Sequence, residues 1–146
     1  MRFRFLSVFA ALAFCSASAW SAQATQGGPE AGARTYAQNY KDMVLASCLA
    51  DAYQNDKAGN DIGSSYSALR DWTYFDMDQS TAPRADLIKK YLDRDYSNPL
   101  AEAEAKGIKF DFLKCLDLYH SDELDAQVKK YVIDPEETYR SKNQKK

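Results

Sequence analysis

The chain has 146 residues, with 19 basic and 21 acidic side chains and a formal net charge of −2. This length suits a single domain, because domains most often contain about 100–150 residues. The mild acidity argues against a nucleic-acid-binding protein, which would present a basic surface. The composition therefore favours one globular domain with no nucleic-acid partner.

Residues 1–24 have the layout of a secretory signal peptide. A short basic start, Met1–Arg4, precedes an apolar run at Phe5–Phe14 and then a stretch of small residues. The apolar run is about ten residues long, well short of the roughly 20 that cross a bilayer. We therefore expect a cleaved leader and no membrane anchor.

Cleavage is expected after Ala24, where Ala22-Gln23-Ala24 provides the small-x-small pattern, although Ala17-Ser18-Ala19 provides it too. A lipid anchor at Cys15 is disfavoured because the bulky Phe14 precedes it. Removing the leader takes away two arginines, so 17 basic and 21 acidic residues give the mature chain a net charge of about −4. The mature domain is thus acidic and exported to an oxidising compartment.

Two cysteines remain after cleavage, Cys48 and Cys115. In an oxidising compartment an even pair most often forms a disulfide. The bridge would close a loop of 115 minus 48, or 67, residues. Such a loop contributes about 4 kcal/mol in the chain-entropy model. Free buried thiols and an intermolecular bridge remain alternatives, whereas no CxxC or His-Cys cluster indicates a redox or metal site.

Apolar residues at helical spacing predict five amphipathic helices after a flexible lead-in at 25–33. In chain order they cover Tyr36–Ala52, Ile62–Thr73, Pro83–Tyr96, Phe110–Tyr119 and Leu124–Val132. Pro83 suits a first helical turn, and Ser121 is a natural N-cap for the last helix. The predicted fold class is therefore all-α, a compact bundle at 34–133 stapled by one disulfide. A polar tail at 134–146, expected to be frayed, follows it.

The connection between the third and fourth helices is unusual. Ser97–Lys106 has no clear apolar face, carries Glu102 and Glu104, and is closed by Gly107. We predict a prominent loop there, with room for a helical turn. An ordinary surface connection is the alternative.

Residues that could carry out catalysis are few. His120 is the single histidine, and a cation between two helices is commonly structural. The alternating charges of Asp93-Arg94-Asp95 are typical of a solvated face and not of paired catalytic carboxylates. Asp76-Met77-Asp78 resembles half a calcium loop, but no glycine follows at the turn. We expect no enzyme activity, metal or cofactor.

All ten tyrosines follow the leader, and aromatic side chains often anchor protein interfaces. Several lie on predicted core stripes, so packing explains many of them. Tyr74, Tyr96 and Tyr139, at or beyond helix ends, are the predicted surface tyrosines.

Four segments of the chain resemble the type VI secretion amidase immunity proteins, the partners of the fourth amidase effector family. These segments are Tyr40–Tyr53, Ser67–Trp72, Tyr91–Leu100 and Gly107–Tyr131, and within the last one Phe110–Lys130 is the most specific. The resemblance implies a periplasmic, all-helical, usually homodimeric inhibitor. Its target is a papain-like amidase that a neighbouring cell injects to cut peptidoglycan stem peptides.

In that family a helix and a protruding loop, from different subunits of the dimer, block the Cys-His cleft of the amidase. On this chain the resemblance implies that Pro83–Tyr96 and Ser97–Lys106 contact the cognate effector. An acidic loop suits a concave, partly basic cleft. The predicted effector-binding residues are Tyr96, Asn98, Leu100, Glu102, Glu104 and Lys106.

Two other classes of function remain open on the sequence. One is a small periplasmic enzyme that acts on the cell wall with His120 as its base. The other is a helical, chaperone-like binding module with loose specificity.

Overall fold

The computed structural model describes residues 29–54 and 57–143. The described helices are α1 (Tyr36–Ala52), α2 (Lys57–Asp71), α3 (Met77–Leu92), α4 (Pro99–Glu104), α5 (Asp111–Tyr119), α6 (Asp122–Tyr131) and α7 (Tyr139–Asn143). A 3-10 turn at Glu30–Ala33 precedes them, and within the described ranges no strand forms. The predicted all-α fold class is confirmed.

The predicted signal peptide at 1–24, with Cys15, lies outside the described residues, as do 25–28 of the lead-in and 144–146 of the tail. Among the helices that the structure describes, none combines the length and the apolar character needed to cross a membrane.

Helix α1 is the centre of the bundle and packs against α2, α3, α5 and α6. Thr35 caps it: the Thr35 hydroxyl accepts from the Gln38 backbone N–H, and the Gln38 side chain accepts from the Thr35 N–H. Tyr40, Val44 and Cys48, from the predicted four-residue repeat, are fully buried. The predicted first helix is confirmed, and its apolar stripe forms the core.

Cys48 on α1 and Cys115 on α5 form a disulfide, with 5.7 Å between their Cα atoms. Both cysteines are fully buried. The predicted intramolecular bridge is confirmed, and the alternatives of free thiols and an intermolecular bridge are excluded. The bond fixes α5 against α1 in the middle of the core.

Helix α3 begins at Met77, six residues before the predicted start at Pro83. The cause is the Asp76 side chain, whose Oδ1 accepts from the Gln79 N–H at 3.0 Å and opens the helix early. Pro83 therefore lies inside the helix and forfeits one backbone hydrogen bond. The sequence predicted that this helix ends at Tyr96, but it ends at Leu92.

Helix α2 also starts earlier than predicted, at Lys57 and not near Ile62. It buries no residue completely. Tyr66 and Leu69 are half-buried and pack against the core. It is therefore a surface helix that covers one side of α1.

Both ends of the bundle differ from the sequence-based expectation. Within the lead-in, Ala31 is buried, and its carbonyl accepts from Asn39 Nδ2 at 2.8 Å. Beyond residue 133, the Glu137 carbonyl accepts from the Tyr36 N–H at 2.8 Å, and α7 follows. The segment before α7 is thus bonded to the start of α1, and α7 packs against the 3-10 turn, through contacts distant in sequence.

Candidate functional site

The segment Ser97–Lys106, here called the arm, contains the short helix α4, so the predicted helical turn is confirmed. Asn98 caps this helix: its Oδ1 accepts from the backbone N–H groups of Leu100 and Ala101, at 3.2 and 3.3 Å. Gly107 follows the arm at φ 78°, a left-handed conformation that favours glycine. The arm is therefore a short preformed helix with a defined start and end.

No residue of α4 is buried, and the Leu100 side chain is 83% exposed. A single exposed leucine is common on protein surfaces. Leu100, however, belongs to a capped helix with no buried residue, and the exposed side chain of Leu113 lies near the base of that helix.

Leu113 belongs to a group of exposed apolar side chains, here called the apolar patch and defined as Tyr53, Ile108, Phe112 and Leu113. They are 38%, 38%, 52% and 46% exposed and line a shallow cavity of about 490 Å³. Leu113 also lines a second cavity, of about 320 Å³, together with Tyr96, Ser97 and Asn98 at the base of the arm. The base of the arm and the apolar patch therefore share one surface.

Phe112 and Leu113 belong to the apolar sequence of the predicted fourth helix, but the structure leaves both side chains exposed. Cys115 and Leu118 set the buried face of α5. At about 100° per residue, Leu113 lies about 160° around the helix from Cys115 and points away from the core. The position of Leu113 around the helix axis, counted from Cys115, could therefore have identified it as exposed from the sequence.

The arm leaves the bundle through a network of aromatic and charged side chains. The Arg94 guanidinium stacks on the Tyr91 ring at 3.4 Å and donates to the Tyr96 hydroxyl at 3.4 Å. The Tyr96 hydroxyl in turn donates to Asp117 on α5. The hydrogen bond with Tyr96 raises the pKa of Arg94 above its usual value. Arg94 is charged at any physiological pH, and through these contacts it holds the chain entering the arm.

The chain leaving the arm is held by Lys114, a buried lysine on α5 that is 5% exposed. Its ammonium donates to the Leu92 carbonyl and to Asp111 Oδ1, each at 3.0 Å. Phe110, just before α5, adopts φ 55°, a left-handed conformation that is strained for a bulky residue. Side chains of α5 thus hold the chain on both sides of the arm.

The six predicted effector-binding residues are neighbours in the sequence, and the structure places their side chains in two different environments. Leu100, Glu104 and Lys106 are exposed along the arm. Glu102 accepts from the Asn98 N–H at 2.8 Å, so both side chains stabilise α4. Tyr96 is half-buried at the base, whereas Tyr74 and Tyr139 are exposed as predicted, at 54% and 41%. Contact of these six residues with an effector stays a prediction.

His120 lies between an aromatic ring and the serine that caps α6. The side chain is exposed, and its ring meets the Tyr119 ring edge-on at 5.1 Å. The neighbouring Ser121 hydroxyl donates to the Leu118 carbonyl at 2.7 Å and accepts from the Leu124 N–H at 3.1 Å. It therefore acts as the predicted N-cap of α6. Over residues 29–54 and 57–143, no group of His, Cys, Asp and Glu side chains is arranged to hold a metal.

Two of the solved structures with a similar fold come from different bacteria. A chain described under "New Type VI-secreted toxins and self-resistance proteins in Serratia marcescens" is 26% identical, with a TM-score of 0.70 over 81% of this chain and 94% of that chain. A chain of the Tae4/Tai4 effector–immunity system from Salmonella typhimurium is 22% identical, with a TM-score of 0.61 over 71% of this chain and 96% of that chain. The second likeness concerns the fold alone.

No curated protein matches the sequence significantly. Residues 38–128 match the family model of Tai4, the type VI secretion system (T6SS) amidase immunity protein. The match extends from α1 through α6 and includes the disulfide, the arm and the start of α5. Because it covers more than half of the chain, this protein belongs to the Tai4 family of T6SS amidase immunity proteins.

Proposed function

We propose that this chain is a periplasmic immunity protein that binds and inhibits a peptidoglycan-cleaving T6SS amidase. Membership of the Tai4 family supports the class of target. The observation on which the proposal rests is the arm, a capped helix that exposes 83% of Leu100 beside the apolar patch. Such a surface suits insertion into a concave partner.

The proposed mechanism is occlusion of the Cys-His cleft of the amidase. Leu100 supplies the apolar contact, and Glu102, Glu104 and Asp95 place negative charge near the base and along the arm. Because α4 is already formed, less conformational entropy is lost on binding than for a disordered loop. The arm therefore blocks access of the wall peptide without any chemical step or cofactor.

A homodimer would add a second contact, as the family resemblance implies. In this proposal the arm of one subunit and α3 of the other engage the same amidase. The outer face of α3 is charged, with Asp86, Lys89 and Lys90 exposed. These charges would orient the amidase before the arm enters its cleft.

The proposed protein is an inhibitor and not an enzyme. Two observations support this: Cys48 and Cys115 are joined in the disulfide, and the Ser121 hydroxyl is committed to capping α6. Export by the leader at 1–24 would deliver the chain to the oxidising periplasm, where this disulfide forms.

Titration of an amidase tests the proposal. The purified mature chain is added to the neighbouring-gene amidase while digestion of purified cell wall is followed. We expect inhibition to be complete at a stoichiometric ratio, and Leu100→Glu to weaken it at least tenfold, because a charge would be forced against an apolar contact.

Ile133→Glu is the matched control. Ile133 is 41% exposed, and its N–H donates to the Tyr74 carbonyl close to the start of α3. The arm follows the other end of α3, about 24 Å away along a helix of 16 residues. The control should inhibit like the wild type. Wall digestion by the purified protein alone, lost in His120→Ala, would instead establish the enzyme alternative.

A further inference from the structure

One buried ammonium lies where the chain that carries the arm leaves and rejoins the bundle. The chain leaves α3 after Leu92 and re-enters the bundle at Asp111, the first residue of α5. Lys114 Nζ is 3.0 Å from the Leu92 carbonyl oxygen and 3.0 Å from Asp111 Oδ1. The same side chain therefore holds the first and last residues of the excursion.

The burial of Lys114 requires an explanation. Its side chain is 7% exposed and that of Asp111 is 19% exposed. A buried ion pair often stabilises a fold no better than apolar side chains of similar volume would. The Lys114 ammonium also donates to the Leu92 carbonyl, which belongs to the last turn of α3 and has no partner within that helix. This hydrogen bond fixes the direction in which the chain leaves α3.

The position of Lys114 within α5 gives this contact a rigid foundation. The next residue, Cys115, is fully buried and bonded to Cys48 on the central helix α1. On the arm side, the ammonium lies 6.0 Å from the centre of the Tyr96 ring, whose hydroxyl donates to Asp117. The contact therefore links the chain around the arm to the disulfide-bonded part of the bundle.

We propose that Lys114 is a positioning residue that sets the direction in which the arm leaves the bundle. This inference rests on the proposed function for its biological meaning, since the arm is the proposed inhibitory element. Lys114 does not touch the amidase. It keeps the arm in the orientation that fits the cleft.

This role has a kinetic signature. If only a fraction of molecules hold the arm correctly, the apparent Kd rises by the inverse of that fraction. The loss appears mainly in the association rate, because correctly oriented molecules still form the same contacts. A residue that contacts the amidase would instead change mainly the dissociation rate.

The first experiment needs no amidase. Nitroxide labels on Glu104→Cys and Asp86→Cys report the distance from the arm to α3 by double electron–electron resonance, in the oxidised full-length mature protein. We expect Lys114→Met to broaden the distance distribution at least twofold, and Lys114→Arg to restore most of its sharpness. Lys129→Met, at an exposed lysine on α6, is the matched control and should leave the distribution unchanged.

If Lys114→Met does not fold, Asp111→Asn removes the charged partner alone and should broaden the same distribution. A distribution equal to that of the wild type, in folded Lys114→Met or in Asp111→Asn, would overturn the positioning role. This result is independent of whether any amidase binds.

The second experiment measures association and dissociation rates with the amidase for Lys114→Met, Leu100→Ala and the double variant. We expect Lys114→Met to slow association about tenfold. In the Leu100→Ala background we expect Lys114→Met to slow association clearly less than in the wild type, because Lys114 acts through the arm. Fully additive losses would overturn the inference, whereas absence of binding by the wild type would overturn the proposed function and leave the distance result standing.

Discussion

Helix α5 carries two contrasting sets of apolar side chains. In its C-terminal half, Cys115 and Leu118 are fully buried, and Cys115 is bonded to Cys48 of α1. Its N-terminal half exposes Phe112 and Leu113 next to the arm, and no residue of α4 within the arm is buried. The core is thus fixed by packing from several helices, whereas the arm is fixed by hydrogen bonds at its ends.

This difference implies that stability and effector binding can be separated by mutation. A change in the core should lower the free energy of unfolding and reduce binding only through loss of folded protein. A change in the arm should reduce binding while the bundle stays folded. Four sets of variants test that separation, from the largest expected effect to the smallest.

Replacing Cys48 and Cys115 together by alanine removes the closed loop of 67 residues from the unfolded state. We expect the free energy of unfolding to fall by about 4 kcal/mol, measured by urea denaturation. Wild-type protein under a strong reductant is the control and should match the variant. A fall below about 1 kcal/mol would mean that packing alone fixes α5 against α1.

Two leucines of the same helix provide a matched pair. Leu118 is fully buried, so Leu118→Ala should cost about 3 kcal/mol through lost burial and the cavity left behind. Leu113 is 46% exposed, so Leu113→Ala should change stability by less than about 0.5 kcal/mol. Urea denaturation of both variants compares the two halves of α5. Equal losses would contradict the division between them.

Asn98→Ala tests the arm through its cap. Removing the side chain that accepts from Leu100 and Ala101 should destabilise α4 by about 1 kcal/mol. We expect affinity for the amidase to fall by up to about fivefold, with no change in the urea midpoint of the bundle. Asn60→Ala, on the exposed face of α2, is the control. A shifted midpoint with unchanged affinity would reverse the assigned roles.

The smallest effect concerns the ion pair of Lys90 with Glu123, between α3 and α6. The hydrogen bond from Lys90 lowers the pKa of Glu123. The stabilisation from this ion pair is therefore fully present above the unfolded pKa of glutamate, about 4.3. It is lost as the pH falls through the lower pKa that Glu123 has in the folded protein.

Both side chains are about half exposed, so the contribution is at most about 0.5 kcal/mol. Lys90→Met should lower the free energy of unfolding by this amount at neutral pH, and by less near pH 3. Urea denaturation at the two pH values measures the difference. A loss that persists undiminished in acid would show that the effect comes from packing and not from charge.

Local signals in the sequence were sufficient for α1, the disulfide and the Ser121 cap. A four-residue apolar repeat, an even cysteine pair and a serine before an acidic turn each act over a short range or have few alternatives. The start of α3 was mistaken because two competing signals, Asp76 as a cap and Pro83 as a first-turn residue, lie seven positions apart.

The missed features depend on contacts between distant residues. The backbone hydrogen bond of Tyr36 with Glu137 folds the C-terminal segment onto α1, and no short-range pattern reveals it. Lys114 looks like a surface lysine in the sequence, but the carbonyl of Leu92 and the Asp111 carboxylate make its burial possible. The position of the arm was predictable from composition, whereas the way it is held was not.

Site-directed photo-cross-linking tests the central claim most directly. A benzophenone amino acid replaces Leu100, or Ile133 as the control, and the residues captured on the bound amidase are mapped by mass spectrometry. We predict that the label at position 100 captures residues lining the Cys-His cleft and that the label at position 133 does not. Capture from position 100 only on a face remote from the cleft, in a complex that still inhibits, would contradict occlusion by the arm.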